Sequence, residues 1–101
     1  MKKLITFDLD MTLLNHVGYT IPDSALAAVR KLRENGHIVA IATGRNLENH
    51  DGPDFISKIN PHATIELNGT KITIGAQTVY RHLFDKDILR ELIDFCLDKG
   101  Y

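Results

Sequence analysis

The sequence predicts an α/β domain built on a parallel sheet, and three observations carry that prediction. Short β-type runs at 4–7, 38–42 and 63–67 are separated by helical stretches. The middle run, Ile38-Val39-Ala40-Ile41-Ala42, is apolar without alternation, as a strand buried on both faces must be. Each run stops at a polar residue: Asp8, Thr43 and Asn68. Strand–helix order of this kind implies parallel strands joined by right-handed crossovers. Sites in such sheets form beyond the carboxyl ends of the strands, so these three residues are expected to meet at one edge.

The elements follow in order. Leu4-Ile5-Thr6-Phe7 is the first strand, and residues 15–20, with Gly18, read as a loop. Pro22 suits a first helical turn, and Asp23 and Ser24 are the expected caps. Leu26, Val29 and Leu32, with Ala25 and Ala28, form that helix's apolar stripe, and Gly36 ends it in a left-handed cap. The polar stretch 46–61 yields one short helix, from Phe55, Ile56 and Ile59. Residues 70–74 and 77–81 alternate around Gly75-Ala76 and predict a β-hairpin. Asp85 caps a last helix with Ile88, Leu89, Leu92, Ile93, Cys96 and Leu97 on one face, and Gly100 stops it.

Composition narrows the function. The 101 residues make one small domain at most, and 44 % hydrophobic content supports a packed core. With 12 basic against 13 acidic residues the net charge is −1, which argues against nucleic acid or an anionic membrane as the main partner. No apolar run approaches the roughly 18 residues needed to span a bilayer. Met1-Lys2-Lys3 could open a signal peptide, but Asp8 and Asp10 fall where its apolar stretch would lie. The lone Cys96 has no internal disulfide partner, which points to the cytoplasm; on the apolar helix stripe it is expected to be a buried, inert thiol.

The chemistry concentrates in Asp8-Leu9-Asp10-Met11-Thr12. Two carboxylates two residues apart at a strand end can project into one crevice, where their repulsion favours a bound cation. Hard oxygen ligands suit magnesium. One carboxylate can then attack phosphorus while the other moves protons. A pair of solvated loop aspartates is the plain alternative.

The run Phe7-Asp8-Leu9-Asp10-Met11-Thr12-Leu13-Leu14 after an apolar strand resembles the first motif of the haloacid dehalogenase superfamily. Ala42-Thr43-Gly44-Arg45 is similar to the second motif of its sugar-phosphatase branch, and Leu67-Asn68-Gly69 before a hairpin looks like the exit to the cap in Cof-type phosphatases with a type IIB cap. The resemblance implies the first three strands of a Rossmann-like core, then a β-hairpin and the first helix of an α+β cap. Residues 1–82 would be the N-terminal part of the core with its connecting hairpin, and 83–101 the start of the cap. It implies a magnesium-dependent phosphatase that hydrolyses small phosphate monoesters, sugar phosphates foremost, through an aspartyl phosphate. Asp8 resembles the nucleophile and a magnesium ligand; Asp10 resembles the general acid/base, with its backbone carbonyl on the metal. Thr43 resembles the hydroxyl that holds the phosphoryl group, helped by backbone N–H groups near Gly44. Arg45 and Asn68 fall where the family lines the substrate side.

Some features depart from the pattern. Met11 stands where the family has glycine. Glu48-Asn49-His50-Asp51-Gly52 also departs; a polar surface loop is the favoured reading over a metal site. His16, His37, His62 and His82 show no ligand spacing and default to surface roles, and Tyr19 to packing. The lysine and acidic metal-binding motifs of the superfamily have no counterpart after Asn68, so the chain reads as an N-terminal fragment, inactive by itself. In the family's strand order the first strand would then have an open edge, and two such edges can pair in a dimer. The competing readings are a non-catalytic binding or regulatory domain that keeps the metal crevice, and a phosphomutase-type phosphotransferase.

Overall fold

The computed structural model describes all 101 residues. The chain runs β1 (Leu4–Phe7), α1 (Asp23–Glu34), β2 (Ile38–Ala42), α2 (Gly52–Ile59), β3 (Ala63–Glu66), a 3-10 turn (Leu67–Gly69), β4 (Lys71–Ile74), β5 (Gln77–Arg81) and α3 (Lys86–Asp98). All five strands form one sheet in the order β1-β2-β3-β4-β5. β1, β2 and β3 pair in parallel, and β4 and β5 continue the sheet antiparallel. The hairpin anticipated from the alternation around Gly75 therefore extends the sheet beyond β3 rather than standing apart from it.

Register decides which face is covered. Phe7 aligns with Ile41 and Ile5 with Val39. On this side Val39, Ile41, Val29, Phe55 and Ile59 join Leu9, Leu13, Leu14 and Leu47 in one buried cluster. Each large apolar side chain so buried contributes about 1.5–3 kcal/mol before chain entropy is counted. The helices that supply Val29, Phe55 and Ile59 thus cover the same face. The opposite face carries Leu4, Ile38, Ala63, Ile65, Ile72 and Ile74 by register, and its outer members Leu4 and Ile74 are exposed. β1 lies at the edge of the sheet, as the open-edge expectation required.

The helix ends show where local expectation and structure part. α1 begins after Pro22, but no side chain caps it, so Asp23 and Ser24 do not act as the expected caps. Gly36 at φ +85° closes it as anticipated. Asp85 does cap α3, accepting from the N–H groups of Asp87 and Ile88. α3 forms no substantial packing with another element. Its stripe of Ile88, Leu89, Leu92 and Ile93 is consequently exposed, and Cys96, expected to be buried, is only half-buried.

His62 also corrects its expectation. Its ring Nδ1 accepts the backbone N–H of Val39 at 3.0 Å, while the His62 backbone N–H donates to the Val39 carbonyl at 2.8 Å. The side chain therefore completes the β2–β3 ladder at its lower end instead of facing solvent freely. No helix is long and apolar enough to cross a membrane.

Candidate active site

β1 ends by presenting Asp8, and the chain then folds back on buried anchors. Leu9 is fully buried, and its carbonyl accepts the Leu14 N–H at 2.8 Å, with Leu13 and Leu14 also in the core. The turn that holds Asp8 and Asp10 is thereby fixed from beneath by apolar burial. Asp8 itself is exposed; its Oδ1 accepts the Leu9 N–H at 2.7 Å, and no cation-bearing side chain pairs with it.

Met11 occupies this turn with φ +62°, and its side chain is 82 % exposed. A left-handed conformation costs a non-glycine residue about 1–2 kcal/mol, which nothing in the packing of so exposed a side chain offsets. Room for the side chain exists; the cost is in the backbone. Met11→Gly is expected to stabilise the fold by about 0.5–1 kcal/mol, after the entropy a glycine loses on folding. A urea midpoint that falls instead of rising would refute this.

The second and third strands bring in the rest. Past their ends the parallel pairing continues: Thr43 N–H donates to the Ile65 carbonyl at 2.9 Å, Asn68 N–H to the Thr43 carbonyl at 3.3 Å, and Leu67 N–H to the Arg45 carbonyl at 3.2 Å. Leu67 and Asn68 both take left-handed conformations, at φ +54° and +55°. Asn tolerates this better than Leu, so the strain falls mainly on Leu67, directly beside the site. A Cβ on Gly44 would lie 3.0 Å from the Asn68 amide oxygen, so the absence of a side chain there lets the two loops meet.

Asp8, Ala42, Thr43, Gly44, Ile65, Asn68 and Gly69 line one open pocket of about 360 Å³. Thr43 is buried, and its Oγ1 accepts the Arg45 backbone N–H at 3.1 Å, which leaves its O–H free to donate. Of the six residues singled out from sequence, four thus share this pocket.

Asp10 and Arg45 are arranged differently. Arg45 Nε donates to Asp10 Oδ2 at 2.8 Å and its Nη2 to Oδ1 at 2.7 Å, a two-pronged ion pair with both side chains about two-fifths exposed. The Arg45 hydrogen bonds hold the Asp10 carboxyl below the usual carboxylate range, and the same bonds raise Arg45. The repulsion anticipated between the two aspartates is therefore relieved by Arg45 at Asp10, and Arg45 is turned to Asp10 rather than lining the pocket. The Asp10 side chain is thus taken, and no group of three His, Cys, Asp or Glu side chains is placed to hold a metal. What a hard cation is offered in this pocket is the Asp8 carboxylate, an incomplete oxygen set of the right kind.

The segment 48–52 is not a metal site either: Glu48 pairs with Lys71, and Gly52 is buried. Sequence reading missed the buried Glu66–Lys71 pair entirely. A usable signal was present, since Thr64 and Glu66 share strand parity with the inward residues.

These elements can be compared with known proteins. A family model described as haloacid dehalogenase-like hydrolase matches residues 5–101. The chain belongs to this family. It is 31 % identical over 95 residues to the Bacillus subtilis (strain 168) protein named "Putative phosphatase YkrA", covering 90 % of this chain and 34 % of that protein. Among solved structures, a hypothetical protein from Geobacillus kaustophilus HTA426 superposes with a TM-score of 0.88 at 27 % identity, covering 99 % of this chain and 38 % of that one. The HAD subclass IIB sugar phosphatase BT4131 superposes with a TM-score of 0.81 at 27 % identity, with the same 99 % and 38 % coverage. This haloacid dehalogenase-like chain thus spans about a third of the length of these relatives.

Proposed function

We propose that these residues are the nucleophile-bearing part of a magnesium-dependent phosphatase acting on small phosphate monoesters, sugar phosphates foremost, through an aspartyl phosphate. The observation that carries this reading is the convergence of Asp8, Thr43, Gly44 and Asn68 on one pocket at the strand ends. Haloacid dehalogenase-like enzymes are generally metal-dependent. The Asp8 carboxylate and Asp10 carbonyl would hold the cation, which supplies charge neutralisation on the transferring phosphoryl group.

In the first step an Asp8 carboxylate oxygen bonds to phosphorus as the ester P–O bond breaks, and the leaving oxygen takes a proton from Asp10. In the second, Asp10 accepts a proton from water, the water oxygen bonds to phosphorus, and the acyl phosphate bond breaks to free Asp8 and inorganic phosphate. Thr43 donates its hydroxyl to a phosphoryl oxygen, with the N–H groups near Gly44 beside it, and Asn68 contacts the substrate. Arg45 keeps Asp10 ionised, which suits the second step; proton donation in the first requires the ion pair to loosen when substrate enters.

Residues 1–82 are the core part with its hairpin and 83–101 the beginning of a cap, in keeping with the lack of packing between α3 and the sheet. The single free cysteine fits a cytoplasmic protein. No lysine lines the pocket, and the one buried lysine, Lys71, is tied to Glu48. Turnover by these 101 residues alone is therefore not expected; the test is a chimaera in which they replace the matching third of the Bacillus subtilis relative. It should release phosphate from an aryl phosphate in the presence of magnesium and stop when the metal is chelated. Undiminished hydrolysis in excess chelator would reject the metal-dependent mechanism.

A further inference from the structure

The two most deeply buried charges in the molecule lie outside the pocket. Glu66 and Lys71 are cross-strand partners in the β3–β4 register, and they are 3 % and 6 % exposed. Their charged atoms are 3.9 Å apart, too far for a hydrogen bond. Each makes its short contact elsewhere. Glu66 Oε1 accepts the Leu47 backbone N–H at 3.1 Å. Lys71 Nζ donates to the Glu48 carboxylate, with Arg81 Nη2 3.8 Å away from the same oxygen.

Both contacts end on consecutive residues, 47 and 48, just beyond Arg45. Burying an ion pair costs free energy that apolar side chains of similar size would not, so a pair retained there is weak evidence for stability. A buried pair whose two members grip one short segment acts on that segment. Leu47 is itself in the core, and the Arg45 carbonyl is held by Leu67. The backbone on either side of Arg45 is thus clamped, and its guanidinium reaches Asp10 from a fixed base.

We propose that Glu66 and Lys71 are positioning residues: they fix the segment 45–48 and, through Arg45, hold the Asp10 carboxylate in one orientation. That this orientation governs proton transfer rests on the reading of Asp10 given above; the mechanical coupling does not. β4 and β5 lead on to α3, so the tie also joins those connecting strands to Asp10. The Lys71 hydrogen bond, then its charge and that of Arg81, hold the Glu48 carboxyl below its ordinary 4.5. A depressed folded value means the tie is fully present above pH 4.5 and is lost only as pH falls through that lower value.

The test uses the 101-residue chain and arginine side-chain NMR, following solvent exchange of the Arg45 Nε–H that donates to Asp10. Asp10→Asn, which weakens that acceptor, marks the resonance. Glu48→Ala and Lys71→Met should each speed this exchange by about tenfold or more, while the Val39 and Ile41 amides in the core strand keep their rates. Glu48 is 60 % exposed, so its variant retains the fold even where the Lys71 variant loses it. Unchanged Arg45 exchange in Glu48→Ala overturns the proposal. So does equal acceleration of the Val39 and Ile41 amides, because the tie would then only stabilise the fold as a whole. Failure of the phosphatase reading would appear in the chimaera's turnover and leave these exchange rates as they are.

Discussion

Asp8→Asn is expected to reduce magnesium-dependent phosphate release by the chimaera by about 10⁴-fold or more, the scale seen when a nucleophile is removed from a catalytic unit. Asp8 follows β1 with its carboxylate exposed in the pocket and bonded only to the neighbouring Leu9 N–H. The amide is a poor nucleophile and carries no charge to hold the cation. Because the substitution is nearly isosteric and the side chain makes no ion pair, the fold should persist, and loss of turnover can be read as chemistry. Steady-state hydrolysis of an aryl phosphate measures it, with purified Asp8→Asn as its own control for contaminating phosphatase. Wild-type rates from that variant would remove Asp8 from the role of nucleophile. Asp10→Asn should cost less, because its proton-transfer role contributes about 10²–10⁴-fold.

The largest expected effect on stability is at Gly52. A Cβ there would lie 2.2 Å from the Leu47 carbonyl oxygen, 2.6 Å from its carbon and 2.7 Å from its Cα. All three are backbone atoms, so no side-chain rotation can make room. Gly52 opens α2, and Leu47 anchors the loop that carries Arg45 in the core. Gly52→Ala must push that loop and helix apart, and overpacking of this severity costs about 3 kcal/mol. For a domain of this size that corresponds to a fall in Tm of more than about 10 °C. Thermal and urea unfolding of the 101-residue chain would measure it. A loss under about 0.5 kcal/mol would mean that the α2 entrance is far softer than its geometry implies. A further consequence is local: the Arg45–Asp10 pair should weaken even where the variant remains folded.

Several features of this protein were written in local sequence. The apolar run 38–42 reads as a strand, and it lies between β1 and β3 in the parallel pairings with Val39, Ala40 and Ile41 buried, although the helices cover only one of its faces. Asp85 sat where a short carboxylate reaches the first free N–H groups of a helix, and it caps α3. The residues that line the pocket were legible because parallel strands deliver their carboxyl ends to one edge, whatever lies between them in the chain. Asp8, Thr43 and Asn68 needed only that rule and a resemblance carried by their spacing.

Tertiary structure decided what local sequence left open. Whether two neighbouring aspartates repel or are neutralised depends on a third residue 35 positions from Asp10, and only the folded β2 loop brings Arg45 against it. The grip of Glu66 and Lys71 on residues 47 and 48 depends on cross-strand register, which a one-residue slip would reverse. The role of His62 required Val39 beside it, and the tight approach at Gly52 required a particular path for the loop before α2. Amphipathic spacing on α3 specified a face but not a partner, and the helix carries that face exposed. Periodicity, capping and turn chemistry act over a few residues and can be read in order along the chain. Charge pairing and close packing are settled between residues far apart in sequence, so they exist only once the strands are in register.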